Sequence, residues 1–282
     1  MFKNLICIIR VFKTYPSQVC IKIFVFLTFG LFLILFFLIN AILYKSVFSF
    51  ALSALGFILG FYIIWAIVPQ IKLPFQSKVW KGIDLLDSDI LLTFDDAPSK
   101  YTNQILDVLD INNIKAIFFV IGQNCLHYPD KVKEIISRGH VIGCHGMWHK
   151  KYLFSSKSFI QKDIKECMRI LSQNFKISPN LFRSPHGFRN FYLANIIGLF
   201  DMVHLSWHRG FWDTDPNVST EELILRAKEI TKGEILLFHD GIDTVLDPNR
   251  SNFLTIFPNI INMLQNKGFS FADPRIFIKH LN

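Results

Sequence analysis

Two kinds of hydrophobic pattern follow one another along this chain. Over the first quarter the apolar positions are continuous: neither Ile23 to Tyr44 nor Val47 to Val68 carries a charge. Each run is long enough to cross ~30 Å of hydrocarbon as a helix, and Lys45-Ser46 is placed to turn between them. From residue 89 onward, short apolar runs alternate with amphipathic stretches. The runs predict strands at Ile90-Phe94, Ala116-Ile121, Val141-Cys144, Leu181-Arg183, Met202-Trp207, Ile235-His239 and Phe269-Phe271. Between them, Ile160, Ile164, Met168 and Leu171 mark one face of a helix, and Leu254, Phe257, Ile261 and Leu264 mark another. Pro129 suits the first turn of a helix that closes before Gly139.

Strands alternating with helices over short connections predict an α/β domain with a parallel sheet, either an open doubly wound sheet or a closed or incomplete barrel. Both architectures collect functional groups at the carboxyl ends of the strands. The polar residues of this chain sit at such positions. Asp95 and Asp96 follow the first strand, His145 the third and Arg183 the fourth; Trp207 to Asp215 follow the fifth, and His239 ends the sixth. One carboxylate and two imidazoles, with His145 and His149 four residues apart, make a facial set that leaves coordination positions open on a divalent ion. The second carboxylate of the Asp95-Asp96 pair remains to accept a proton.

These residues resemble the polysaccharide deacetylases with a NodB-type homology domain, also called carbohydrate esterase family 4. Thr93-Phe94-Asp95-Asp96-Ala97-Pro98 is similar to that family's first motif, and His145-Gly146-Met147-Trp148-His149 to its His-x-x-x-His motif. Arg183-Ser184-Pro185-His186-Gly187 resembles the third motif, and Leu237-Phe238-His239 the Leu-x-His motif. The resemblance covers roughly residues 88 to 274 and implies a distorted (β/α)7 barrel.

It further implies a metal held by Asp96, His145 and His149, with zinc the first expectation and cobalt, nickel or manganese acceptable to the same donors. Asp95 would be the general base, fixed by Arg183, and His239 the general acid that protonates a departing amine. A backbone N–H in the Pro185-His186-Gly187 turn would meet the oxyanion. Trp207, Trp212 and Leu237 are expected to line the acyl or sugar pocket. Ala97 stands where the family has Gly and His186 where Tyr is common, so the first turn should not require positive φ at 97 and the contact at 186 should be made by backbone. In the fourth motif Gly210 replaces an Asp and Thr214 a Trp; counting from Trp207 puts Asp213 on the carboxylate that orients His239, with Asp215 as the alternative.

The resulting plan is a basic segment at 1–20, a transmembrane helical hairpin at 21–70, a linker at 71–88 and a catalytic domain at 89–282. With 282 residues, a formal net charge of +8 and 51% hydrophobic residues, the chain holds one sizeable domain and an anchor. Lys3, Arg10, Lys13 and Lys22 precede the hairpin and Lys72, Lys78 and Lys81 follow it, against Lys45 alone in the turn. The positive-inside rule then sets both ends in the cytoplasm of a bacterial inner membrane, with the domain facing anionic lipid headgroups. Facing inward suits an N-deacetylase or deformylase of an amino sugar on a polyprenyl-phosphate carrier, as in envelope glycan or lipid A-type modification. Facing outward suits peptidoglycan or an exported polysaccharide. A non-catalytic glycan-binding protein would need neither Asp95 nor His239. No basic-aromatic pattern for nucleic acid is present, and Cys7, Cys20, Cys125, Cys144 and Cys167 show no disulfide spacing.

Overall fold

The structure is a computed structural model that describes residues 47–67 and 90–279, together with 32, 35, 36, 38, 39, 42 and 43. It divides into two compact units, Met1–Ile71 and Lys72–Asn282. In the first unit, helix α1 (Val47–Ile67) runs for 21 residues without a charge. At 1.5 Å per residue that is about 30 Å. Among the described residues no helix is long and apolar enough to cross a membrane. The first arm of the expected hairpin falls largely outside the described residues, as does the linker at 71–88.

In the second unit, seven parallel strands take the order β5-β4-β3-β2-β1-β7-β6. They are β1 (Leu91–Ala97), β2 (Ile117–Val120), β3 (Val141–Cys144), β4 (Leu181–Phe182), β5 (Val203–His204), β6 (Arg209–Gly210) and β7 (Ile235–His239). Sheet order and chain order together dictate the shape. In a flat sheet β5 and β6 would lie ~29 Å apart, yet the chain from His204 to Arg209 reaches only about 17 Å. The sheet must therefore curl until its edges approach, giving a half-barrel open along the β5–β6 seam.

Two expectations are corrected here. Phe269-Phe271 forms no strand, only a bridge from Phe271 to Ile90. Arg209–Gly210 takes the seventh place instead; two residues are too few to show a period of two.

Alternation along the strands separates two apolar layers. Leu91, Ile117, Phe119, Leu181 and Ile235 fill the barrel interior, while Leu92, Phe94, Phe118, Leu236 and Phe238 face the helices. Those helices are α2 (Thr102–Ile111), α3 (Gly122–His127), α4 (Pro129–Ser137), α5 (Lys157–Phe175), α6 (Leu193–Gly198), α7 (Thr220–Lys228), α8 (Ser251–Asn266) and α9 (Pro274–Lys279). The predicted faces are buried as Ile160, Ile164 and Leu171 on α5 and as Phe257, Ile261 and Leu264 on α8. Pro129 opens α4. Cys125, Cys144 and Cys167 are buried free thiols.

Candidate active site

Because Leu91, Thr93 and Asp95 alternate onto the interior side of β1, the Asp95 carboxylate emerges at the carboxyl end of the barrel. There Arg183, fully buried, donates from Nη1 to Asp95 Oδ1 and to Thr93 Oγ1, both at 2.8 Å. Its Nε and Nη2 donate to the carbonyls of Leu205 and Ser206 along the seam, at 3.0 and 3.1 Å. The guanidinium thus fills a gap that the missing β5–β6 pairing leaves, and it fixes one carboxylate oxygen while Oδ2 faces His145 Nε2 at 3.6 Å. Thr93, which the first motif includes without a role, is a supporting residue; its hydroxyl donates to Leu236 O at 2.7 Å.

Asp96 breaks the alternation with φ +59. That backbone turn aims its side chain beside the first, so positive φ falls on Asp96 and not on Ala97. Asp96 Oδ2 accepts the N–H of Asp243 at 2.7 Å. Oδ1 lies 3.5 Å from His145 Nε2 and 3.0 Å from His149 Nε2. It is buried, yet it is aligned for a hydrogen bond with no described residue.

The loop carrying the two histidines is set by Gly146 and Asp163. Gly146 has φ +79, and a Cβ there would stand 2.3 Å from Asp163 Oδ2. Asp163 in turn accepts Trp148 N–H at 3.0 Å and the Tyr152 hydroxyl, pinning the loop from beneath. His145 Nδ1 is 2.8 Å from Arg183 O, which assigns the ring proton to Nδ1 and leaves the Nε2 lone pair toward Asp96. His149 Nδ1 lies 3.0 Å from Asp243 Oδ1. Burial opposes charge on His149, but the Asp96 and Asp243 carboxylates outweigh it and push its pKa up to about 10, so a divalent ion would take the Nε2 position in exchange for that proton.

Asp96, His145 and His149 offer ligand atoms all within 4.8 Å of one another. Donors about 2.0–2.1 Å from a divalent ion stand roughly 3.0–3.4 Å apart, close to the 3.0 and 3.5 Å found here. A buried carboxylate oxygen without a hydrogen bond, facing two imidazole nitrogens at that spacing, fits such an ion.

Across the mouth, His239 at the end of β7 is gripped through Nδ1 by Asp213 Oδ1 at 2.9 Å, and its own N–H donates to Asp213 Oδ2 at 3.0 Å. Arg250 completes the clamp by donating to Asp213 Oδ2, Asp213 O and His239 O. Burial would raise the Asp213 pKa, but Arg250 and His239 bring it down to about 2. Burial would lower that of His239, yet Asp213 holds it above the usual imidazole range. Asp215 instead caps a local turn through Asn217 N at 2.9 Å.

Of the remaining expected residues, Pro185, His186 and Gly187 form a 3₁₀ turn with His186 at φ +56. Gly187 N–H is committed to Ser184 O at 2.9 Å, and Pro185 has none. His186 N–H is therefore the donor of that turn not committed within it, and the His186 ring lies 4.3 Å from that of His149. Trp207 is half-buried against the interior cluster, its ring 5.5 Å from the Arg183 guanidinium. Trp212 packs against the outer cluster, and Leu237 is buried at the interior. The indole nitrogens of both tryptophans converge on Gly210, whose Cβ position lies 3.4 and 3.9 Å from them.

Asp243, Arg250 and Asp163 were not legible in the motifs. Asp243 and Arg250 lie in the loop after the Leu-x-His motif and Asp163 within a helix, and only side-chain reach in three dimensions marks them.

Comparison with known proteins gives a consistent picture. The polysaccharide deacetylase family model matches residues 83–202. A peptidoglycan-N-acetylglucosamine deacetylase of Bacillus cereus is 33% identical over 188 residues, covering 65% of this chain and 84% of that protein. A chitooligosaccharide deacetylase of Rhizobium leguminosarum bv. trifolii is 30% identical, covering 71% and 94%. Among solved structures, a peptidoglycan N-acetylglucosamine deacetylase in complex with an N-hydroxylated benzamide superposes with a TM-score of 0.60 at 25% identity, covering 66% of this chain and 85% of that one.

Proposed function

Since the chain belongs to the polysaccharide deacetylase family, and so is a hydrolase of carbohydrate amide bonds, we propose that it removes the N-acetyl group of an N-acetylglucosamine unit in an envelope glycan. One observation carries this reading. The Asp-His-His cluster lies between a carboxylate fixed by a buried arginine and an imidazole fixed by a buried carboxylate. Peptidoglycan and chitooligosaccharides, named for the relatives above, share that amino sugar.

In this reading Asp96, His145 and His149 would hold a divalent ion, which would supply Lewis-acid chemistry when bound. Asp95 Oδ2 accepts the proton of the attacking water, since Oδ1 is tied to Arg183. His186 N–H meets the carbonyl oxygen as its charge develops. His239, with Nδ1 held by Asp213, presents Nε2 to the leaving nitrogen and donates its proton there.

The acid role has a pH signature. Asp213 raises the His239 pKa, so the protonated acid persists to higher pH than a free imidazole near 6.5 would allow. Asp213→Asn removes that support, and the alkaline limb of the kcat profile moves to lower pH. An unmoved limb would assign the acid elsewhere. The same shift stabilises the fold: the contribution is full below about pH 6.5 and is lost as pH rises through the folded value.

Zinc-loaded protein incubated with penta-N-acetylchitopentaose or muramidase-released peptidoglycan fragments should release acetate and free amine in equal amounts. Acetate release from neither substrate would exclude these glycan classes.

A second reading rests on the charges flanking the apolar segments. We infer a membrane anchor at 21–70 with both ends in the cytoplasm, because Lys3, Arg10, Lys13, Lys22, Lys72, Lys78 and Lys81 face Lys45 alone. A domain on that side would meet the amino sugar on a lipid carrier before export. A reporter active only in the periplasm, fused after Asn282, should stay silent. A strong signal would instead favour the exported polymer.

A further inference from the structure

Six large apolar side chains stand exposed on connections that follow the carboxyl ends of the strands: Leu126, Phe154, Phe191, Tyr192, Val245 and Leu246. Phe154 is 78% exposed and Phe191 61%. Hydrogen bonds join the segments that carry them. Asn190 Nδ2 donates to the carbonyls of Tyr152 and Ser155, both at 3.0 Å, joining the loop of Phe191 to that of Phe154. Asn124 donates to Asp243 O and the Tyr128 hydroxyl to Leu246 O, joining α3 to the loop after β7. His149 links the halves through its contacts with His186 and Asp243. The apolar tips thus border the metal-ligand side of the mouth.

The occupant of such a rim is indicated by charge. Lys150 and Lys151 are exposed in the same loop as Phe154 and Lys157 at the start of α5, with no acidic residue from Lys150 to Lys162; beside Val245 and Leu246, Asp247 is paired with Lys100 and Asp243 with His149. Aromatic and aliphatic tips beside lysines suit a lipid–water interface, where rings sit at headgroup depth and ammonium groups meet phosphates. A glycan face would favour flat aromatic platforms throughout, whereas half of these tips, Leu126, Val245 and Leu246, are aliphatic. The same chain carries the uncharged 21-residue α1, and an anchor at 21–70 would hold the domain close to a bilayer.

We propose that this rim docks on an anionic membrane surface and presents the mouth to an amino sugar carried on a lipid. The proposal rests on the anchored reading above and deepens it. The full chain, with Cys7→Ser and Cys20→Ser so that the described cysteines left are buried, is labelled with bimane at Phe154→Cys, Phe191→Cys or Ile111→Cys. Ile111 ends α2 and is 81% exposed, at the opposite end of the domain.

In phosphatidylethanolamine–phosphatidylglycerol vesicles containing brominated lipid, labels at 154 and 191 should be quenched at least about twofold more than the label at 111, and less so in zwitterionic vesicles. Phe154→Ser with Phe191→Ser should leave chitopentaose hydrolysis within about twofold, yet slow hydrolysis of a vesicle-borne N-acetylglucosaminyl polyprenyl phosphate roughly tenfold. Equal quenching at all three positions in vesicle-bound protein overturns the docking surface and leaves the anchor standing. Failure to float with vesicles overturns both. Shielding of the labels by chitopentaose, without lipid quenching, makes the rim a glycan surface and also overturns the proposal.

Discussion

His145→Ala removes the divalent ion and turnover together, whereas Asp95→Asn keeps the ion and loses kcat by roughly 10²-fold or more. The two outcomes differ because the carboxylates differ in setting. Asp96 Oδ1 faces both Nε2 atoms, so the cluster needs Asp96, His145 and His149 as a set. Asp95 is held from behind by Arg183 and stands beside the cluster with Oδ2 toward His145. Amide for carboxylate at 95 preserves shape and one hydrogen-bond acceptor while removing the basic oxygen. Metal analysis of the purified variants, beside single-substrate kinetics on chitopentaose, reads both effects. Stoichiometric metal in His145→Ala, or metal loss in Asp95→Asn, would exchange the roles assigned to the two groups.

Arg183→Met should cost roughly 3–5 kcal/mol of stability, the range for breaking a buried ion pair from one side. The loss has a specific origin. Arg183 satisfies Asp95, Thr93 and two seam carbonyls at once, and with a neutral thioether each of those buried acceptors loses its partner. Adding Asp95→Asn to Arg183→Met should recover part of the loss, since no uncompensated charge then remains inside. Urea unfolding of wild type, both single variants and the double variant measures the coupling directly. A single variant within about 1 kcal/mol of wild type would mean that water enters the seam and replaces the guanidinium.

The anchors of the site were readable from residue order because each follows a short apolar run. A strand of period two that stops at a polar residue delivers that residue to the mouth of a parallel sheet, as with Asp95, His145, Arg183 and His239. The faces of α5 and α8 were readable for the related reason that burial on one side imposes a helical period. Strand β6 was not, since pairing with β7 places two residues that carry no periodic signal of their own. The same holds for the curl of the sheet, which follows from strand order and the short β5–β6 connection together.

What only the tertiary structure decided is how each reactive group is held. Asp243 reaches Asp96 across 147 positions of chain, Arg183 reaches Asp95 across 88, and Arg250 closes on Asp213 across 37. Local pattern reports which face a residue takes. It does not report which distant carboxylate or guanidinium will be buried against it, because that partner is chosen by loop packing at the mouth, where desolvation makes every unpaired polar atom costly.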